Sequence, residues 1–179
     1  MHIYSITFDV EHFPLLVPDK EGDFDSDALW INGALKAELW KAPLMRYAMP
    51  SKNGVRADIT QITPGFFAFS EKAIDALHGL LKTHGELLEL VVEGKTLVAF
   101  NPNNEIDCFD VNASTWNRRR NGERGRLIKP AFKIKKLTDI DIFQVPEHIT
   151  NAFYVTDTFK RVYEKSNLSG LLFTTCLSV

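Results

Sequence analysis

The chain has 179 residues, of which 45% are hydrophobic and 25% charged, and its formal net charge is −2 at pH 7. This composition is ordinary for a soluble globular protein, and so small a charge provides no overall attraction to nucleic acid or to an anionic membrane. No apolar run approaches the roughly 18–20 residues that span a bilayer. The opening MHIYSITFDVEHF lacks the basic start and long apolar core of a signal peptide. We therefore expect a single domain over residues 1–179 that works in the cytoplasm.

The first predicted element is a half-buried strand. Tyr4, Ile6, Phe8 and Val10 alternate with polar residues, which is typical of a strand with one buried face. Pro43, Pro50 and the dipeptide Asn53-Gly54 punctuate the segment Lys41–Val55, for which we predict irregular structure. Residues 1–57 as a whole are less regularly patterned than the rest of the chain.

An acidic segment, Asp19–Asp27, follows the first strand. Its acidic residues are Asp19, Glu21, Asp23, Asp25 and Asp27. The first spacing resembles a calcium-binding loop, but position six is Ala28 instead of glycine and position twelve is Ala34 instead of glutamate. A solvated loop is the simplest interpretation. If the segment is a binding site, we expect a basic partner and not a metal ion.

The segment Pro64–Val92 contains the clearest structural pattern in the chain. Ser70 follows the apolar run Phe66–Phe69 and has the position of a helix N-cap, where its hydroxyl would accept a backbone N–H of the first turn. A helical apolar face follows, and Gly85 is predicted to be the C′ glycine that ends the helix. Leu87–Val92 reads as a buried strand, and the unit is therefore strand, capped helix, strand. Its apolar helix positions are Ala73, Ile74, Leu77, Leu80 and Leu81.

The same pattern returns over Ala152–Cys176. Thr156 takes the place of the capping serine and Gly170 that of the glycine, and the helix has two pairs of opposite charge at a spacing of four, Asp157 with Arg161 and Lys160 with Glu164. Chance also explains two such units, because capped helices beside strands are common. We predict an α+β fold with mainly antiparallel strands, and α/β is the alternative because a strand–helix–strand unit also makes parallel pairs.

Between the two units, Glu93-Gly94-Lys95 predicts a hairpin turn, and Thr96–Asn101 the returning strand. A polar, basic loop is predicted over Asn117–Arg126. Its arginines could bind phosphate groups, but Trp116 is the one aromatic residue nearby, which favours a solvated loop. A strand is predicted through Phe132, Ile134 and Leu137, and another over Ile142–Val145. The arginines are Arg118, Arg119, Arg120, Arg124 and Arg126.

The chain contains no recognisable catalytic or metal-binding motif. The histidines lack the spacing of metal ligands, and we interpret them as surface or half-buried residues. Cys108 and Cys176 do not form a paired motif, and two reduced thiols are the simpler interpretation. A disulfide between them is the alternative. We therefore predict no catalytic, cofactor-binding or metal-binding residues. An active site assembled from distant residues is left open.

Three segments resemble a bacterial immunity-protein-like family, first classed as a domain of unknown function and found in polymorphic-toxin and secretion-system gene neighbourhoods. They are Leu97–Ser114, with its stretch IDCFD, then Leu127–Val145, with its strand IFQV, and Phe153–Phe173. The similarity covers roughly residues 58–175. Thr156 stands where the family has serine, and Gln144 stands where it has arginine.

This resemblance implies a protein that binds and neutralises a cognate toxin encoded nearby, without enzymatic activity or a cofactor. We expect direct binding, with the acidic residues of Asp19–Asp27 as candidate partner-binding residues, since their charge would speed the capture of a basic toxin. The resemblance identifies no interface residue and no oligomeric state. Two alternatives remain, an enzyme with a non-local active site and a nucleic-acid-binding module that uses the basic loop.

Overall fold

The structure is a computed structural model that describes residues 1–20, 37–38, 40–49, 55–146 and 153–179. Within these ranges the helices are α1 (Glu71–His84) and α2 (Asp157–Lys165), and Ile134–Lys136 forms a 3-10 turn. Neither helix is long and apolar enough to cross a membrane. The strands are β1 (Ile3–Phe8), β2 (Leu16–Pro18), β3 (Leu44–Tyr47), β4 (Ile59–Thr63), β5 (Phe66–Phe69), β6 (Gly85–Val92), β7 (Lys95–Pro102), β8 (Thr115–Arg118), β9 (Arg124–Lys129), β10 (Ala131–Phe132), β11 (Ile142–Phe143), β12 (Tyr154–Thr156), β13 (Leu171–Thr175) and β14 (Leu177–Ser178).

The fold is α+β, as predicted. A four-stranded sheet has the order β11-β12-β1-β13, and a six-stranded sheet has the order β2-β3-β6-β7-β5-β4. Most pairings are antiparallel, while β3 with β6 and β10 with β14 are parallel pairs. The antiparallel prediction is confirmed, and the α/β alternative is wrong.

The two strand–helix–strand units have the same topology. In the first, β5 and β6 both pair antiparallel with β7, which lies between them. In the second, β12 and β13 pair antiparallel with β1, which also lies between its partners. In each unit the helix therefore joins two parallel strands that are separated by an antiparallel one.

Both predicted N-caps are confirmed. The Ser70 hydroxyl accepts the backbone N–H of Ala73 at 3.2 Å, and the Thr156 hydroxyl accepts that of Thr158 at 3.3 Å. Each bond satisfies a donor that the first turn of a helix would otherwise leave unpaired. An acidic residue follows each cap, Glu71 in α1 and Asp157 in α2.

Both predicted C′ glycines are wrong. Gly85 has an extended φ of 177° and is the first residue of β6, where an added Cβ would lie 2.6 Å from Cε2 of Phe100. Close packing therefore explains this glycine. After α2, Asn167 takes the left-handed conformation with φ of 48°, while Gly170, with φ of 109°, comes directly before β13. Asn is tolerated in that conformation, so no glycine is needed to end the helix.

A shared aromatic core joins the two units. Ala73, Leu77 and Leu81 of α1 lie in one cluster with Phe159 and Tyr163 of α2. In the same cluster, the ring centroid of Phe153 lies 5.9 Å from that of Phe67 and 5.5 Å from that of Phe100. Edge-to-face pairs at such distances are favourable beyond their burial alone.

Three other predictions about the strands need correction. The segment Lys41–Val55 is not wholly irregular, since it contains β3. The predicted strand through Phe132 and Leu137 is reduced to β10 and the 3-10 turn. Val10 is 61% exposed because β1 ends at Phe8. The turn before β7 is confirmed: Glu93 and Gly94 have φ of 49° and 79°, the positive values that a two-residue hairpin turn uses.

Candidate binding surface

The acidic segment is described only at its first residue. Asp19 is exposed, and its backbone N–H donates to the carbonyl oxygen of Leu44 at 3.0 Å. Glu21, Asp23, Asp25 and Asp27 lie outside the described residues. Their role in binding a partner stays a prediction.

The basic segment forms a hairpin, not an irregular loop. Strands β8 and β9 pair antiparallel, with Trp116 opposite Leu127 and Arg118 opposite Arg124. We call residues Thr115–Lys129 the basic hairpin. Its strands carry polar residues on both faces, so the alternation that reveals half-buried strands is absent. The dipeptide Asn121-Gly122 at the tip, with Gly122 at φ of 84°, was the available sequence signal.

Hydrogen bonds close the tip of the basic hairpin. The backbone N–H of Arg119 donates to the carbonyl oxygen of Glu123 at 2.9 Å, and that of Gly122 donates to Arg119 at 2.9 Å. The side-chain oxygen of Asn117 accepts the backbone N–H of Arg126 and lies directly against Gly125, where a Cβ would collide with it. These contacts determine the conformation in which the arginines are displayed.

The base of the basic hairpin packs on the core. The Trp116 ring makes an edge-to-face contact with Phe109 at 6.3 Å, and its N–H donates to the carbonyl oxygen of Val111 at 3.0 Å. The Ser114 hydroxyl donates to the carbonyl oxygen of Asp110 at 2.6 Å and accepts the backbone N–H of Ala131 at 2.9 Å. The hairpin is therefore attached to the body of the protein through residues at its base.

Two aspartates that precede the basic hairpin, Asp107 and Asp110 of the stretch IDCFD, make contacts that stabilise the structure. The backbone N–H groups of Ala113 and Asn112 donate to Asp110 at 3.0 Å each and hold the pKa of that carboxyl below its usual value. Lys136 lies 2.6 Å from the carboxylate of Asp107 and lowers the pKa of that group as well. The Asp110 carboxylate therefore stabilises the turn that leads into the hairpin, while Asp107 is paired with Lys136.

The basic hairpin displays an unbalanced positive charge. Its five arginines are all exposed, and Glu123 is the one acidic residue between Thr115 and Lys129. None of the arginines takes part in the salt bridges found among the described residues. Exposed arginines outside salt bridges attract an anionic surface, and their guanidinium groups can form two-pronged bonds to carboxylate or phosphate.

Two clefts flank the basic hairpin. One, of about 640 Å³, lies between the hairpin, β1 and the β4–β5 turn and is lined by Arg119 and Arg126. We call it the hairpin cleft. The other, of about 420 Å³, is lined by Trp116, Arg118 and Arg124, and the Arg124 guanidinium lies 5.0 Å from the centre of the tryptophan ring. Four of the five arginines thus line one or the other of these clefts.

The remaining reactive groups are placed for structural roles. Cys108 and Cys176 are buried and are not joined in a disulfide, and burial raises the pKa of Cys176 to about 11, which disfavours the nucleophilic thiolate. Within the described ranges no group of three or more His, Cys, Asp or Glu residues could hold a metal ion. His84 is only 3% exposed, which corrects the expectation of surface or half-buried histidines.

Neither a comparison with protein-family models nor one with curated proteins finds a match to this chain.

Proposed function

We propose that this chain is an immunity-type protein that neutralises a cognate bacterial toxin by direct binding in the cytoplasm, and that the basic hairpin forms part of its contact surface. The observation that carries the proposal is the display of five exposed arginines on a hairpin whose base packs on Phe109. Arginine is enriched at protein interfaces and among the residues that dominate binding energy.

The chain has both a basic and an acidic segment, and this distribution of charge favours a protein as the partner. The basic hairpin suits an acidic patch, while the acidic segment Asp19–Asp27 suits a basic one. A partner protein carries both kinds of patch, and such complementarity raises the rate of association. The resemblance to immunity-type proteins supports a toxin as that partner.

Co-expression with the product of the neighbouring gene tests the proposal. We expect the chain to restore survival and to co-purify with that product. Replacing Arg119 and Arg120 by glutamate should slow association by about tenfold or more at low salt. The matched control replaces Lys41 and Lys95, two exposed lysines outside the basic hairpin, by glutamate and should leave association nearly unchanged.

Two results would contradict the proposal. Survival without a complex would point to an enzyme that reverses the toxin's damage, with an active site assembled from distant residues. If the chain neither restored survival nor formed a complex with any toxin of the gene neighbourhood, the immunity function would be ruled out.

Nucleic-acid binding is the second candidate, because Trp116 lies between arginines in the smaller cleft. It requires affinity for generic DNA or RNA that falls steeply with salt. Arg124 and Phe109 already contact the tryptophan ring, which leaves less of it for stacking on a base. We therefore expect the wild-type chain to bind generic single-stranded DNA only weakly at physiological salt. Tight binding that falls steeply with salt would favour this second function.

A further inference from the structure

We infer that the hairpin cleft is the docking site for an acidic, partly apolar segment of the partner protein. The segment would present carboxylates to Arg119 and Arg126 and an apolar side chain to the aliphatic residues beside them. This inference rests on the proposed binding function and specifies which part of the partner this face of the chain recognises.

The cleft is assembled from three parts of the fold. Strand β1 contributes Ser5–Thr7, the β4–β5 turn contributes Pro64 and Gly65, and the basic hairpin contributes Arg119 of its tip and part of β9. Its volume of about 640 Å³ falls within the range of roughly 300–1,000 Å³ that is usual for ligand pockets. It is therefore large enough for a few side chains of a bound segment.

Aliphatic residues line part of the cleft. Leu127 and Ile128 of the basic hairpin line it together with Pro130, and Pro64 lines it from the β4–β5 turn. Ile128 is 59% exposed although it lies in a strand. An apolar side chain of a bound segment would cover this surface and remove it from water, which is favourable.

The positive charge of the cleft indicates that its ligand is negatively charged. Arg119 and Arg126 are exposed, and no acidic residue is found among the described residues that line the cleft. Ser5, Thr7 and Gln61 add uncharged hydrogen-bonding groups. A guanidinium binds a carboxylate through two parallel hydrogen bonds, so an aspartate or glutamate of the partner matches these positions.

The lining favours a protein segment over a nucleic acid. Tyr154 is the one aromatic residue among the described residues of the cleft, and it is 3% exposed. Its ring centroid lies 4.6 Å from that of Phe132 and 5.7 Å from that of Phe143. The ring therefore offers no free face on which a base could stack, which is how unpaired nucleic acids are usually bound.

Binding of a labelled peptide to the full chain tests the inference without the toxin. The probe is a short peptide of alternating glutamate and leucine, and its control has glutamine in place of glutamate. At physiological salt, where distant charges are screened, the acidic probe should bind at least about tenfold more tightly than the control. Amide shifts of the labelled protein should change mainly at Thr7, Gly65 and Gly125.

Matched variants separate the cleft from the general charge of the basic hairpin. Arg119→Glu with Arg126→Glu should weaken peptide binding by about tenfold or more, while Arg118→Glu with Arg120→Glu, the same change of charge outside the cleft, should have a smaller effect. Ile128→Ser should also weaken binding. Leu44→Ser, which changes a 52% exposed apolar residue on β3, should not.

Several results would overturn the docking site: no binding of the acidic probe, equal binding of both peptides, or equal losses from both pairs of arginines. Equal co-purification of a toxin with the wild type and with the Arg119→Glu/Arg126→Glu variant would also exclude the cleft as its docking site, while the immunity function would stand. Peptide binding in the cleft without any toxin complex would support the docking site and contradict the immunity function.

Discussion

Asp58 and Ser169, 111 positions apart in the sequence, bond to each other through three hydrogen bonds. The carboxylate of Asp58 accepts the backbone N–H of Ser169 at 2.9 Å and its hydroxyl at 2.8 Å. The same hydroxyl accepts the backbone N–H of Asp58 at 3.1 Å. This contact joins the start of β4 to the loop after α2, and so it connects the two strand–helix–strand units.

Removing this carboxylate should destabilise the fold. Asp58→Ala leaves the donors of Ser169 without their acceptor, and we expect the free energy of unfolding to fall by roughly 1–3 kcal/mol. Urea denaturation measures the change. Asp75→Ala, an exposed site on α1, is the control and should change stability by less than about 0.5 kcal/mol. Equal effects of the two substitutions would show that the contact contributes little.

Two glycines should respond in opposite directions to alanine. Gly170 has φ of 109°, and an added Cβ would collide with the carbonyl oxygen of Ile59 and lie 2.9 Å from Cβ of Ala57. Gly170→Ala should therefore lower the thermal midpoint strongly. Gly79 lies in α1 with nothing within 4 Å of an added Cβ, so Gly79→Ala should raise stability by about 0.5–1 kcal/mol. A tolerated Gly170→Ala would contradict the described close approach.

His84 should matter for stability, whereas His78 on the same helix should not. The Nδ1–H group of His84 donates to the carbonyl oxygen of Leu80 at 2.8 Å, and Nε2 accepts the backbone N–H of Asp141 at 3.1 Å. His84→Ala leaves the half-buried N–H of Asp141 unpaired and should cost about 1–3 kcal/mol in chemical denaturation. His78 is exposed, and a comparable loss in His78→Ala would refute the distinction.

Asp157 should stabilise the fold in a pH-dependent way. Burial alone would raise the pKa of this carboxyl, but hydrogen bonds from the His2 backbone N–H at 2.7 Å, the Tyr4 hydroxyl at 3.0 Å and the His2 ring outweigh burial and lower it. A lowered pKa in the folded state means that the charged carboxylate stabilises the fold above the unfolded pKa of about 3.9. That contribution is lost as the pH falls through the folded pKa.

Comparison of the wild type with Asp157→Asn measures this contribution. The variant should be less stable at neutral pH, and the difference should be constant down to about pH 5 and shrink below it. Asp75→Asn, on the exposed face of α1, should show no such trend. A difference that stays the same down to strongly acidic pH would contradict the role of the charge.

Local signals made some of the fold predictable. A helix N-cap is encoded within about four residues, and the caps at Ser70 and Thr156 were therefore visible in the sequence. The turn at Glu93-Gly94 was visible for the same reason. The pairing of Asp157 with Arg161 could not be judged from local sequence, because Asp157 accepts hydrogen bonds from His2 and Tyr4, which are distant in the chain.

Long-range partners explain what the sequence did not reveal. No local pattern shows that β1 lies between β12 and β13. The arginines of the basic hairpin could be named in advance, but the hairpin cleft could not, since Thr7 and Gly65 are remote in sequence from Arg126. Solvated strands also lack the hydrophobic alternation on which strand prediction depends.

The position of β1 between β12 and β13 has a consequence for biosynthesis. Ribosomes make β1 early, but both of its partners follow α1 and most of the chain. Ile3, Ile6 and Phe8 therefore remain uncovered on the nascent polypeptide while β4–β7, which pair with near neighbours, already have their partners. Such exposed apolar strands are the surfaces that chaperones bind. Completion of the four-stranded sheet is thus a late event, which follows translation of β13.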